Sequence, residues 1–109
     1  MSLDNLIILE NDNQWDELYN SEKKLVIDFT ASWCGPCKIL SPVINLLSEK
    51  FNNITFVKID VDEFEELVSN RNISCMPTIH FIHNKETINT IEGLDMNNII
   101  KSIENFEKV

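Results

Sequence analysis

Apolar residues recur along the chain with two periods, and the switches between them mark its elements. Leu6 to Leu9 is a short apolar run that predicts a strand. Asn11 to Asn20 follows as a helix, with Asn11 as N-cap and Trp15, Leu18 and Tyr19 on one face. Lys24 to Thr30 is apolar on both faces, the pattern of a fully buried strand, and one residue breaks it: Asp28. Ala31 to Gly35 reads as a turn. From Pro36 to Phe51, residues Ile39, Leu40, Val43, Ile44, Leu47 and Phe51 keep helical spacing. Pro36 suits a first turn, where its missing N–H is not needed, and Pro42 inside the helix is expected to kink it. Ile54 to Asp60 predicts another strand. Asp62-Glu63-Phe64-Glu65 has the form of a capping box, opening a short helix to Arg71. Thr78 to His83 and Thr87 to Glu92 are strands joined by a tight turn. Asp95 to Glu107 closes the chain as an amphipathic helix, with Met96, Ile99, Ile100, Ile103 and Phe106 inward.

The resulting order, βαβαβαββα, alternates at first and ends on a hairpin. It predicts an α/β fold with a mixed five-stranded sheet and four helices on both faces. A length of 109 residues, 43% of them hydrophobic, suits one domain over 1–109.

Charge narrows the partners. Eighteen acidic residues against nine basic ones give a net charge of −9. That disfavours nucleic acid, whose phosphates need clustered Lys and Arg, and anionic membranes. Solubility and steering toward basic partners both remain open. No apolar run approaches the roughly 20 residues of a membrane span. The start lacks a basic segment before Leu6 and carries Asp4, so the expected location is cytoplasmic. The sequons at Asn53 and Asn72 then carry no weight.

Three cysteines do not suit a framework of structural disulfides. Two of them form Cys34-Gly35-Pro36-Cys37, a spacing that serves redox chemistry or metal binding in a reducing compartment. The pair falls after a strand and at the start of a helix. There the helix dipole and free N–H groups stabilise a thiolate at Cys34, lowering its pKa from the usual 8.5 by roughly one unit or more. Cys37, one turn further in, is expected to be less exposed and able to reach back.

The run Trp33-Cys34-Gly35-Pro36-Cys37-Lys38 resembles the active site of the thioredoxin family. Asp28-Phe29-Thr30-Ala31 before it, Pro42 in the next helix, Met76-Pro77-Thr78 before the hairpin and Gly93 after it agree in register. The resemblance covers nearly the whole chain and implies the thioredoxin fold. It implies a protein-disulfide reductase in which Cys34 attacks a substrate disulfide and Cys37 resolves the mixed disulfide. No bound cofactor is implied beyond a redox-active Cys34–Cys37 disulfide. The implied partners are an NADPH-dependent, flavin-containing thioredoxin reductase and disulfide-bearing proteins such as peroxiredoxins. Pro77 would be cis, and Trp33, Gly35, Pro36, Met76, Pro77, Gly93 and Leu94 would form an apolar docking surface.

Asp28 has two readings: an edge-facing or hydrogen-bonded structural carboxylate, or a buried proton acceptor for Cys37, its pKa raised by desolvation. Lys58 stands where the family has a lysine that tunes this carboxylate; a solvated strand lysine is the other reading. Cys75 is either a buried small hydrophobe or an exposed thiol beside Pro77. Some relatives with Cys-Met-Pro-Thr use that thiol for dimerisation, so a monomer able to form a Cys75-linked dimer is expected. His80 and His83 are too closely spaced for a zinc site with the cysteines, and no metal is expected. In the hairpin turn, Lys85 replaces a common family glycine, and either Lys85 or Asn84 must supply the left-handed conformation. Thr30 replaces an aromatic found in many relatives. The rival functions are a disulfide oxidase or isomerase, whose relatives usually carry His between the cysteines, and a binding module gated by redox state.

Overall fold

The computed structural model describes residues 5–109, so the first four positions of the expected 1–109 domain lie outside the described residues. In chain order the elements are β1 (Leu6–Ile8), α1 (Asp12–Tyr19), β2 (Lys24–Thr30), α2 (Gly35–Lys50), β3 (Ile54–Asp60), α3 (Glu65–Ser69), β4 (Thr78–His83), β5 (Glu86–Glu92) and α4 (Met96–Glu107). The strands form one sheet in the order β1-β3-β2-β4-β5. β1 and β2 run parallel to β3, whereas β4 lies antiparallel to both β2 and β5.

Strand β2 takes the centre because residues Leu25 to Phe29 leave no face for water. Alternation then sorts its side chains. Val26 joins Leu40, Ile44, Phe56, Phe81, Ile99 and Ile103 in the core under α2 and α4. Leu25, Ile27 and Phe29 join Trp15, Leu18, Val57 and Ile59 under α1. Asp28 points to the same face as Val26, two residues away.

The caps follow side-chain chemistry. Asn11 accepts the N–H of Gln14, and Asp95 accepts that of Asn98. Two elements depart from expectation. Ile39 is 59% exposed, so the buried stripe of α2 runs through Cys37, Leu40, Ile44 and Leu47 instead. Helix α3 is only five residues, starts after Phe64 and has no side-chain cap. The Asp62 carboxylate that would have capped it bonds Trp33 instead. The α2 helix continues through Pro42.

In the β4–β5 turn both Asn84 (φ 54°) and Lys85 (φ 67°) are left-handed. That is the two-residue hairpin geometry that matches strand twist. The Tyr19 hydroxyl donates to the Lys85 carbonyl at 2.8 Å, tying the turn to α1.

Candidate active site

The end of β2 delivers the chain through Ala31, Ser32 and Trp33 to the N-terminus of α2. Cys34 is its N-cap, and Cys34 and Cys37 form a disulfide with Cα atoms 5.3 Å apart. The Cys37 backbone N–H donates to Cys34 Sγ at 3.2 Å. The sulfur thus takes the place that an oxygen holds in an ordinary N-cap. Pro36 falls in the first turn, where no N–H is required. Cys34 is 4% exposed and Cys37 2%, so the expected difference in exposure is slight in the disulfide form. Ala31, Val61 and Met76 pack around the pair.

A second loop closes on this one. The Met76–Pro77 peptide is cis and Pro77 is buried. Gly93 N–H donates to the Pro77 carbonyl at 2.8 Å, and the Thr78 hydroxyl donates to the Cys75 carbonyl at 2.6 Å. Gly93 has φ +83°, a conformation that favours glycine. The first of these bonds ties Gly93 to the cis-proline loop; Met76, Gly93 and Leu94 are each half-buried, Met76 packing by the cysteine pair and Leu94 against the core under α2 and α4.

Trp33, 65% exposed, and Met76 line a cleft of about 430 Å³ with Val61, Val68, Ile73 and Cys75. Trp33 is held there by its indole N–H, which donates to Asp62 Oδ2 at 2.8 Å. Sequence reasoning missed Asp62 as part of this site. The available signal was the β2–β3 pairing, which sets Thr30 beside Asp60 and so brings Asp62 near Trp33. Cys75 is free and exposed, which settles its two readings in favour of the accessible thiol.

Asp28 stands on β2, three residues before Ala31 and the turn into the Cys34–Cys37 pair. It is 2% exposed in the central strand, so it is not edge-facing, and its Oδ1 is buried without a hydrogen-bond partner. Burial pushes its carboxyl up to about 6, and the nearby Lys58 ammonium opposes the rise. Lys58 is its register partner on β3 and is half-buried rather than solvated. Desolvation draws the Lys58 ammonium below its usual range, with Asp28 acting the other way. The ammonium donates to Ser41 Oγ and Asn45 Oδ1 on α2, each at 2.7 Å.

His80 lies apart from the pair in sequence, on β4. It is buried edge-on to Phe29, with Nδ1 unpartnered and its pKa lowered mainly by desolvation. Among the described residues no group of three or more His, Cys, Asp or Glu side chains is placed to hold a metal.

The arrangement sets a redox-active cysteine pair at a helix N-terminus, with a buried carboxylate on the strand that leads into it and an open cleft alongside, bounded by Trp33 and Met76. Known proteins resemble this chain. A thioredoxin family model matches residues 5–105. The chain is 37% identical over 87 residues to a thioredoxin from Oryctolagus cuniculus, covering 78% of this chain and 83% of that one. It is 36% identical over 102 residues to thioredoxin H2-1 of Oryza sativa subsp. japonica, covering 90% and 74%. The structure superposes on reduced Schistosoma mansoni thioredoxin pre-protein with a TM-score of 0.85 and 41% identity, covering 93% and 97% of the two chains.

Proposed function

The chain belongs to the thioredoxin family, and from that premise we infer that it reduces protein disulfides by dithiol–disulfide exchange. The observation that carries this reading is the Cys34–Cys37 disulfide at the N-terminus of α2, with the Cys37 N–H aimed at Cys34 Sγ. In the reduced protein that N–H and the helix dipole favour a Cys34 thiolate. The thiolate attacks one sulfur of a substrate disulfide, and the other sulfur leaves as a thiolate and is protonated. Asp28 takes the proton of Cys37, whose thiolate then attacks Cys34 Sγ. The protein disulfide closes, the second substrate sulfur departs as a thiolate and is protonated in turn, and Asp28 gives up the proton it took. Two electrons and two protons have passed to the substrate.

The cleft between Trp33 and Met76 receives the substrate chain, with the Met76 backbone pairing to it as a short added strand. The further reading is recharging by an NADPH-dependent thioredoxin reductase, with peroxiredoxins among the substrates. It places the protein in the cytoplasm, a reducing compartment in which the exposed Cys75 stays a free thiol.

Turnover of a disulfide protein with NADPH and a thioredoxin reductase tests this. Cys34→Ser is expected to abolish reduction. Cys37→Ser is expected to attack and then stall as a mixed disulfide, so partners are trapped by Cys37→Ser alone. Trapping by Cys34→Ser alone would reverse the two roles. Full cellular function in a Cys34→Ser, Cys37→Ser double variant would replace the reading with a binding module.

A further inference from the structure

Asp28 and Lys58 sit side by side on adjacent strands, at paired positions of the β2–β3 ladder. Neighbouring strands lie about 4.8 Å apart, and a lysine side chain easily spans that distance. A buried carboxylate with an unpartnered oxygen beside an ammonium would ordinarily draw it into an ion pair. Here the ammonium turns the other way. Its hydrogen bonds go to Ser41 and Asn45 on α2, at 2.7 Å each, while Asp28 Oδ1 has no partner.

The spacing explains how. Ser41 and Asn45 are four residues apart, hence on one face of α2 one turn above the other. Cys37 is four residues before Ser41, so the same stripe begins at the resolving thiol. Both acceptors present oxygen to a donor that needs it, and both are half-buried. The Asn45 amide is committed as an acceptor, through Oδ1.

We propose that Ser41 and Asn45 are positioning residues that clamp the Lys58 ammonium against α2 and hold it off the Asp28 carboxylate. This rests on the reading of Asp28 as the proton acceptor for Cys37. The clamp acts through that carboxylate. With the ammonium tethered, Asp28 keeps enough basicity to take a proton near neutral pH. With the ammonium released, it would pair with Asp28, hold it ionised to lower pH and weaken it as a base. The other groups around Asp28 leave Lys58 as the lever. β4 presents Ile79, its register partner. The buried middle of that face is the apolar set Val26, Leu40, Ile44 and Phe56; the further charges on it stand at the strand ends, Asp60 beside Thr30, where its Oδ1 accepts the Asp62 N–H, and Lys24, which donates to the Glu107 carbonyl. From α2 the titratable group is the Cys37 thiol of the reduced protein.

Carboxyl NMR titration of Asp28 in the reduced protein tests the clamp. A Ser41→Ala, Asn45→Ala double variant suits the purpose, because alanine favours a helix. Its Asp28 midpoint is expected to fall by about 1 pH unit as the ion pair forms. Lys58→Met is expected to move the midpoint upward, opposite to the clamp variant. Ser41→Thr, which keeps the hydroxyl, is expected to leave it near wild type. A midpoint unchanged or raised in the double variant overturns the proposal.

Stopped-flow reaction with 5,5′-dithiobis(2-nitrobenzoate), in a Cys75→Ser background, separates the two layers of the argument. The first nitrothiobenzoate released reports attack by Cys34, and the second reports resolution by Cys37. The pH profile of the second phase is expected to follow the Asp28 midpoint in each variant, with the first phase unmoved. A shifted midpoint with an unshifted second phase supports the clamp and refutes Asp28 as the acceptor for Cys37.

Discussion

Asp28 is a carboxylate that the fold holds against its own solvation, and that tension is measurable. Its pKa is raised from 3.8 to about 6 by burial, so the native state binds this proton more tightly than the unfolded state does. The stability it contributes is fully present below about pH 3.9, its unfolded value, and is lost as pH rises through about 6. The difference of about two units corresponds to about 3 kcal/mol between acid and neutral pH. Asp28→Asn removes the ionisation. The variant is therefore expected to be more stable than wild type at pH 8 and to lack the decline between pH 4 and pH 6, both read by urea unfolding. A variant less stable than wild type at pH 8 would show that the carboxylate serves the fold. The oddity of Asp28 was legible because a charge inside an apolar strand stands out. Ser41, Asn45 and Asp62 were not legible. A polar residue on a half-buried helix face, or in a loop of acids, says nothing about the strand or ring opposite until the topology brings them together.

At the scale of elements, periodicity succeeded where burial was two-sided or strongly amphipathic, as in β2, β3, β4 and α4. It failed at α3, where two local choices competed for Asp62. A capping oxygen contributes about 1 kcal/mol to a helix, but here the Trp33 indole took it. The helix then shortened to Glu65–Ser69, with no buried residue of its own. The hairpin turn shows the opposite case, a local penalty held in place from outside. Asn84 and Lys85 both adopt positive φ, and for a lysine this costs roughly 1–2 kcal/mol. The Tyr19 hydroxyl bonds the backbone carbonyl of residue 85 rather than a side chain, so it survives substitution. Lys85→Gly is expected to raise stability by about 1 kcal/mol, part of the relief being offset by the freer unfolded chain. Urea unfolding measures it. Unchanged or lower stability would mean that the lysine is not strained in this turn.

For the molecule as a whole, the dominant fact is a net charge of −9 on 109 residues. Two copies repel, and the repulsion is screened beyond about 10 Å at 0.1 M salt. Against this stands an exposed Cys75 thiol beside an open cleft lined by Trp33, Val61, Ile73 and Met76. Docking two such clefts would bring the Cys75 thiols of two copies together over surface that is apolar at Trp33, Val61, Ile73 and Met76 and acidic at Asp62 and Glu65. An added oxidant such as diamide would take the two electrons as the intermolecular sulfur–sulfur bond forms and both thiols lose their protons. The expected product is a Cys75-linked dimer, visible on non-reducing electrophoresis and absent from Cys75→Ser. Because charge opposes the encounter and apolar contact favours it, the rate of dimer formation is expected to rise with salt. A rate that falls with salt would mean that complementary charges draw the copies together. A dimer that persists in Cys75→Ser would move the contact to Cys34 or Cys37 and remove Cys75 from the account.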